Sequence, residues 1–141
     1  MTGDDVPLYQ AFRDRPPIRI ATAFFNVRCG PPAAHLTAPG SSDERLIADL
    51  LAPRIDMLAF DGARWWVTEF HTQAGLPQLG RIDCYPELLC ATYPGAPPLG
   101  RLMICSTVNP WTLVCYTRRR VALFTYTRQQ PRPKPENIKG F

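Results

Sequence analysis

Apolar and polar positions along this chain of 141 residues change period several times. Leu8 to Phe12 form a short amphipathic stretch that stops at Pro16-Pro17, which predicts an N-terminal arm over residues 1–17. Ile18 to Cys29 (IRIATAFFNVRC) is rich in β-branched and aromatic residues with partial alternation, and Gly30-Pro31-Pro32 closes it. A strand is predicted there. Ser41 and Glu44 fit the S-x-x-E capping box ahead of Leu46, Ile47, Leu50 and Leu51, so a short helix should end at Pro53. Ile55–Phe60 and Arg64–Phe70 then read as two strands joined by Asp61-Gly62, a strong signal for a two-residue type I′ hairpin. Such a turn would set Phe60 opposite Ala63, Leu58 opposite Trp65, and Asp56 opposite Val67.

After Gly75-Leu76-Pro77, the apolar positions Leu79, Ile82, Tyr85, Leu88 and Leu89 recur at helical spacing, in a helix that Pro86 should kink or split. Residues 101–108 (RLMICSTV) predict a buried strand. Leu113–Tyr116 and Val121–Tyr126 suggest two more, around a basic turn at Arg118-Arg119-Arg120. From Gln129 onward the sequence QQPRPKPENIKGF reads as an extended, Pro-rich basic tail. The expected architecture is α/β: one domain over 18–128, with a central mixed sheet of four or five strands flanked by helices, between the arm and a tail at 129–141. Trp65, Trp66 and Trp111 are expected in the core, the first two covering opposite sheet faces.

Composition narrows the picture only slightly. The 16 prolines predict many irregular connections, and the net charge of +4 is compatible with an acidic partner such as DNA. The charge is almost all arginine, because Lys134 and Lys139 are the only lysines. Five cysteines without CxxC spacing, behind an N-terminus without a signal-peptide pattern, are expected to be reduced and buried. They make no ligand pair with His35 or His71 that would suit zinc. No apolar run approaches the ~20 residues that span a bilayer, so no membrane partner is expected and the chain is placed in the cytoplasm or in a virion.

The hairpin carries the candidate chemistry. Side chains alternate along a strand, so Asp56, Glu69 and His71 should share one sheet face, with Glu69 diagonal to Asp56 at roughly 6–8 Å between Cα atoms. Carboxylates among Trp, Phe, Val and Met need a partner. Mg²⁺ would serve, activating water and neutralising charge on a phosphate. Alternatively, Arg54 and Arg81 would neutralise both carboxylates in an ion network without a metal.

Pro53-Arg54-Ile55-Asp56, twelve residues, then Glu69-Phe70-His71 resembles the PD-(D/E)XK motif, with Glu44 in the helix upstream. The element order is similar to the αβββαβ core of these restriction-endonuclease-like folds over about residues 18–127. Gln78 to Leu89 (QLGRIDCYPELL) is similar to the QxxxY helix of the RecB-like branch. The resemblance implies metal ligation by Asp56, Glu69 and Glu44, and a bracing role for Gln78, Arg81 and Tyr85. It departs from the family at the catalytic lysine, where His71 stands, and at Arg81, where the branch has Gln four residues before the Tyr.

Two functions follow. In the first, the chain is a nuclease-fold protein with a degenerate site, a non-catalytic structural or nucleic-acid-facing subunit of an assembly such as a phage neck, tail or connector. Its partners would be DNA, copies of itself or other virion proteins, and its tail could pack on a neighbour. In the second, it is a Mg²⁺-dependent DNA endo- or exonuclease using Asp56, Glu69 and His71, the imidazole acting as general base for water. Arg118, Arg119, Arg120 and Arg128 are candidate phosphate contacts, or else a solvated turn and a solubilising tail.

Overall fold

The computed structural model describes residues 3–30 and 51–127. The capping box at Ser41–Glu44, the metal-ligand role of Glu44, His35, Arg128 and the Pro-rich tail lie outside the described residues. The elements are α1 (Val6–Asp14, after a 3-10 turn at Gly3–Asp5), β1 (Thr22–Arg28), β2 (Arg54–Phe60) and β3 (Trp65–Ala74). They continue with α2 (Leu76–Thr92), β4 (Leu99–Val108), α3 (Pro110–Arg118) and β5 (Ala122–Thr125).

The five strands form one mixed sheet in the order β1-β2-β3-β4-β5. The pairs β1/β2 and β2/β3 are antiparallel, and β3/β4 and β4/β5 are parallel. Each parallel pair is joined through a helix, as a parallel connection requires. The fold is α/β with helices on the sheet, consistent with an αβββαβ-type core. On one face Leu8 and Phe12 of α1 pack with Met57, Ala59, Phe70, Leu102 and Ile104. Phe70 sits edge-on to both Phe12 and Tyr9, the favoured aromatic geometry. The N-terminal stretch expected as an arm is thus a helix docked on the sheet. The opposite face buries Ile55, Val67, Met103 and Cys105 under Leu79, Ile82, Tyr85 and Leu89 of α2 and Tyr116 of α3.

Several expectations are corrected. Leu113–Tyr116 is helical: Asn109 caps α3 by accepting from Trp111 N at 2.9 Å, Pro110 begins the helix, and Thr112 and Tyr116, four apart, are its buried residues. The Asn-Pro pair was the signal, overlooked in favour of a short apolar run. Asn109→Ala should lower stability by about 1 kcal/mol, read from urea unfolding. Trp111 is 86% exposed rather than core. Helix α2 runs unbroken through a buried Pro86. Of the cysteines, which are all free, Cys29 and Cys105 are buried but Cys84 and Cys90 are exposed.

The predicted basic turn is the end of α3, with Arg120 in the left-handed region at φ 55°. Arg119 pairs with Asp83 of α2, and Arg101 of β4 reaches the same carboxylate at 3.8 Å. Asp83 therefore ties α2, β4 and α3 together, so one of the three candidate phosphate contacts among the described residues already has a structural partner.

The hairpin register is shifted by two residues. Phe60 faces Trp65 and Leu58 faces Val67. The ladder ends at Phe60↔Trp65, and one further bond, Asp61 N donating to Arg64 O at 3.1 Å, leaves Gly62 and Ala63 at the tip of the turn. The Asp61 carboxylate holds the turn, Oδ1 accepting from Ala63 N and Arg64 N at 2.8 and 2.7 Å and Oδ2 from Trp66 Nε1 at 2.8 Å. Gly62 supplies the positive φ, 104°. These bonds, that from Trp66 foremost, hold the Asp61 carboxyl below its ordinary 3.8. A depressed folded-state pKa gives stability that is complete above the unfolded value and lost as pH falls through the folded one. Asp61→Ala should accordingly melt at lower temperature than wild type at pH 7, with the difference closing as pH drops below 3.8; an unchanged difference at pH 2 would contradict it.

Candidate metal centre

A shift of two residues preserves side-chain parity, and its consequence falls on Asp56. The observed register pairs Val67 with Leu58, and continued one step past Met57↔Thr68 it sets Asp56 across from Glu69 instead of Val67. Backbone pairing runs from Phe60↔Trp65 to Met57↔Thr68, and beyond that the carboxylates bridge the strands. Glu69 Oε1 accepts from Asp56 N at 3.0 Å, and Asp56 Oδ2 accepts from Phe70 N at 3.0 Å. Each carboxylate is fixed by a charge-assisted bond to the other strand's backbone. The second oxygens, Asp56 Oδ1 and Glu69 Oε2, lie outside these two bonds.

Strand β2 is distorted on its other side as well. Asn26, across from Asp56 in the β1–β2 register, has φ 55°, a conformation Asn tolerates better than most residues. Ile55 then packs on the α2 side while Met57 packs on the α1 side. Two residues apart in a regular strand would share a face, so the chain rotates at Asp56.

His71 completes the cluster. One ligand atom each from Asp56, Glu69 and His71 lie within 4.8 Å of one another. His71 Nε2 is 3.3 Å from Glu69 Oε2, with side-chain exposures of 18% and 3%, so the imidazole edge is the open side of the group. Burial raises the Glu69 carboxyl above its ordinary 4.5; the His71 hydrogen bond opposes this and the Asp56 charge adds to it. The same charge reaches the surrounding groups. Tyr85 of α2 is buried and pushed up to about 12, by burial first and Glu69 second. The Cys29 thiol is raised to about 11 for the same two reasons and donates to Pro53 O at 3.6 Å, which makes it a protonated wall rather than a ligand.

The remaining sequence candidates are dispersed. Gln78 Oε1 accepts from Gly75 N at 3.1 Å and caps α2, a local role instead of a brace on the site. Arg81 is exposed on α2, although its charge is felt at Tyr85. Arg54 is exposed and directs Nη1 to Asn26 O at 3.4 Å. The ion pair of Glu69 is made with His71, where the arginine network had offered Arg54 or Arg81. Arg118, Arg119 and Arg120 are exposed at the end of α3. No local spacing or motif marks Cys29 or Asn26, whose roles depend on β1 lying against β2.

Comparisons with family models, with curated proteins and with solved structures returned no match. The donor set therefore stands on its own chemistry. Two carboxylates suit Mg²⁺ or Mn²⁺, and an imidazole nitrogen beside them favours a transition ion over Mg²⁺, which takes oxygen ligands. The residues present fit a divalent cation.

Proposed function

We propose that the chain is a nuclease-fold protein that retains a divalent-cation site at Asp56, Glu69 and His71 and works as a non-cleaving, nucleic-acid-facing subunit of an assembly. The observation that carries this reading is the convergence of the three donor groups within 4.8 Å on a distorted stretch of the β2–β3 hairpin. A cation there would bind a phosphate oxygen of a bound strand. Cleavage further requires stabilisation of the charge that develops on the phosphate, a large catalytic contribution where present. Lysine is absent from every residue before Lys134, and a histidine in its place does not bring lysine's permanent positive charge.

A second reading rests on the Glu69–His71 contact at 3.3 Å. An imidazole held against a carboxylate is positioned to take a proton from water, which would make the protein a Mg²⁺- or Mn²⁺-dependent nuclease. Incubating the purified chain with labelled single- and double-stranded DNA and either cation, beside Asp56→Asn and Glu69→Gln, separates the two. The proposal predicts metal-dependent binding and no cleavage above that of the variants. Cleavage lost in both variants would establish the nuclease, and absence of metal binding would sink both readings. The assembly role predicts a mass above the monomer in light scattering; a strict monomer at every concentration would contradict it.

A further inference from the structure

A cavity of about 530 Å³ opens at the hairpin end of the sheet, lined in part by Leu58 of β2 and Trp65 of β3. Its lining includes Phe24, Trp65, Tyr93, Leu58, Leu89 and Arg28. Trp65, Val67, Glu69 and His71 alternate along β3 on one side, so the cavity lies toward the hairpin turn and the carboxylates toward the other end, with Val67 between them. Trp65 and Glu69, four residues apart, are about 13 Å apart along the strand. That is at most about four nucleotides at duplex rise.

The walls specify a ligand chemistry. Phe24 is stacked on Trp65, with centroids 6.0 Å apart and planes within 20° of parallel. Phe24 is 54% exposed and Tyr93 56%, so ring surface is presented to whatever enters. Among the described residues, Arg28 is the one charged residue of the lining. Parallel aromatic faces with a single guanidinium match a flat ring carrying an anionic group, and the volume is that of a small-ligand site. Apolar side chains alone would accept any greasy molecule; the cation and the shared sheet face select a nucleotide.

We propose that this cavity holds an unstacked base of single-stranded DNA, stacked on the Phe24–Trp65 pair with Arg28 toward its phosphate, while the same strand runs on toward Asp56 and Glu69. This rests on the nucleic-acid reading above and adds its substrate class: the strand is single, because a paired base is not free to enter. Base–aromatic stacking tolerates any sequence, so the site discriminates strandedness and not sequence.

The test is fluorescence polarisation of a labelled fifteen-nucleotide dT oligomer, a hairpin duplex of matched charge and an abasic oligomer, in EDTA, with wild-type chain and Phe24→Ala/Tyr93→Ala. Both replaced side chains are more than half exposed, so the variant should fold; circular dichroism checks this. Expected are tighter binding of dT than of either control, and a loss of about tenfold or more for dT alone in the variant. Equal binding of dT and abasic oligomers by wild type, or of dT by both proteins, would overturn the proposal. Titration of Mn²⁺ into EDTA-free samples of the same two proteins separates this from the metal centre. If Mn²⁺ binds and the dT preference is absent, the pocket fails and the metal site stands; the reverse outcome leaves the pocket and removes the metal site.

Discussion

Mn²⁺ at one hundred times its dissociation constant is expected to stabilise the folded chain by about 2.7 kcal/mol, because it binds a site that exists only when β2 and β3 are paired. For a domain of this size that is an increase of about 8 °C in melting temperature. Asp56→Asn/Glu69→Gln should abolish the increase. Amide replacements are the right variants, since each keeps an oxygen to accept from the opposing backbone N–H, whereas alanine would leave Asp56 N or Phe70 N buried and unsatisfied. The metal-free chain should respond to pH in the opposite direction. Burial raises the Glu69 carboxyl in the folded state above its ordinary 4.5. Its protonated form is therefore favoured by folding, and that contribution is complete below 4.5 and lost as pH rises through the raised value. The cation needs the carboxylate, so the Mn²⁺-induced shift should grow over the same window, measured by thermal melts with and without metal. A shift independent of pH, or retained in the double variant, would place the cation elsewhere.

Gly100→Ala is expected to destabilise the protein by about 1–3 kcal/mol, although it adds a single methyl group. Gly100 of β4 pairs with Trp66 of β3, and the indole lies over it so closely that a Cβ at position 100 would collide with ring atoms Cδ2, Cε3 and Cζ3. The ring has little room to yield: Nε1 is tied to Asp61 Oδ2 at 2.8 Å, and the Arg64 guanidinium sits 5.4 Å from the ring centroid. The glycine is thus the counterpart of the tryptophan, and the collision also disturbs the turn that sets the hairpin register. Trp66→Leu should be milder, and combining it with Gly100→Ala should recover part of the loss. Additive losses in a double-mutant cycle of urea midpoints would show that the two positions do not act on each other.

How far the sequence revealed the site depends on which contacts are local. The hairpin was visible from Asp61-Gly62, and the shared side of Glu69 and His71 from strand alternation alone. Its register was not, because the Asp-Gly dipeptide points to a tip at residues 61 and 62, while in the fold the Asp61 carboxylate bonds to Ala63, Arg64 and Trp66 and the tip moves one residue on. The two-residue error moved Asp56 from Val67 to Glu69, and by luck of parity strengthened the cluster. Helix α2 was legible from Leu79, Ile82, Tyr85 and Leu89, which are all buried. Helix α3 was not, because the apolar stretch beginning at Leu113 outweighed the Asn109-Pro110 start. The Asp83 bridge to Arg101 and Arg119, the left-handed Asn26 of β1 across from the rotation of β2 at Asp56, and the aromatic cavity join segments far apart in sequence. Periodicity carries no record of such contacts.

Electron paramagnetic resonance of Mn²⁺ with the full chain at neutral pH shows whether Asp56, Glu69 and His71 together hold one divalent cation. Expected is one bound Mn²⁺ per chain with a nitrogen coupling from His71, the coupling lost in His71→Ala and the bound ion lost in Asp56→Asn/Glu69→Gln. Free Mn²⁺ alone at millimolar concentration, or a bound ion undisturbed by those substitutions, would contradict it.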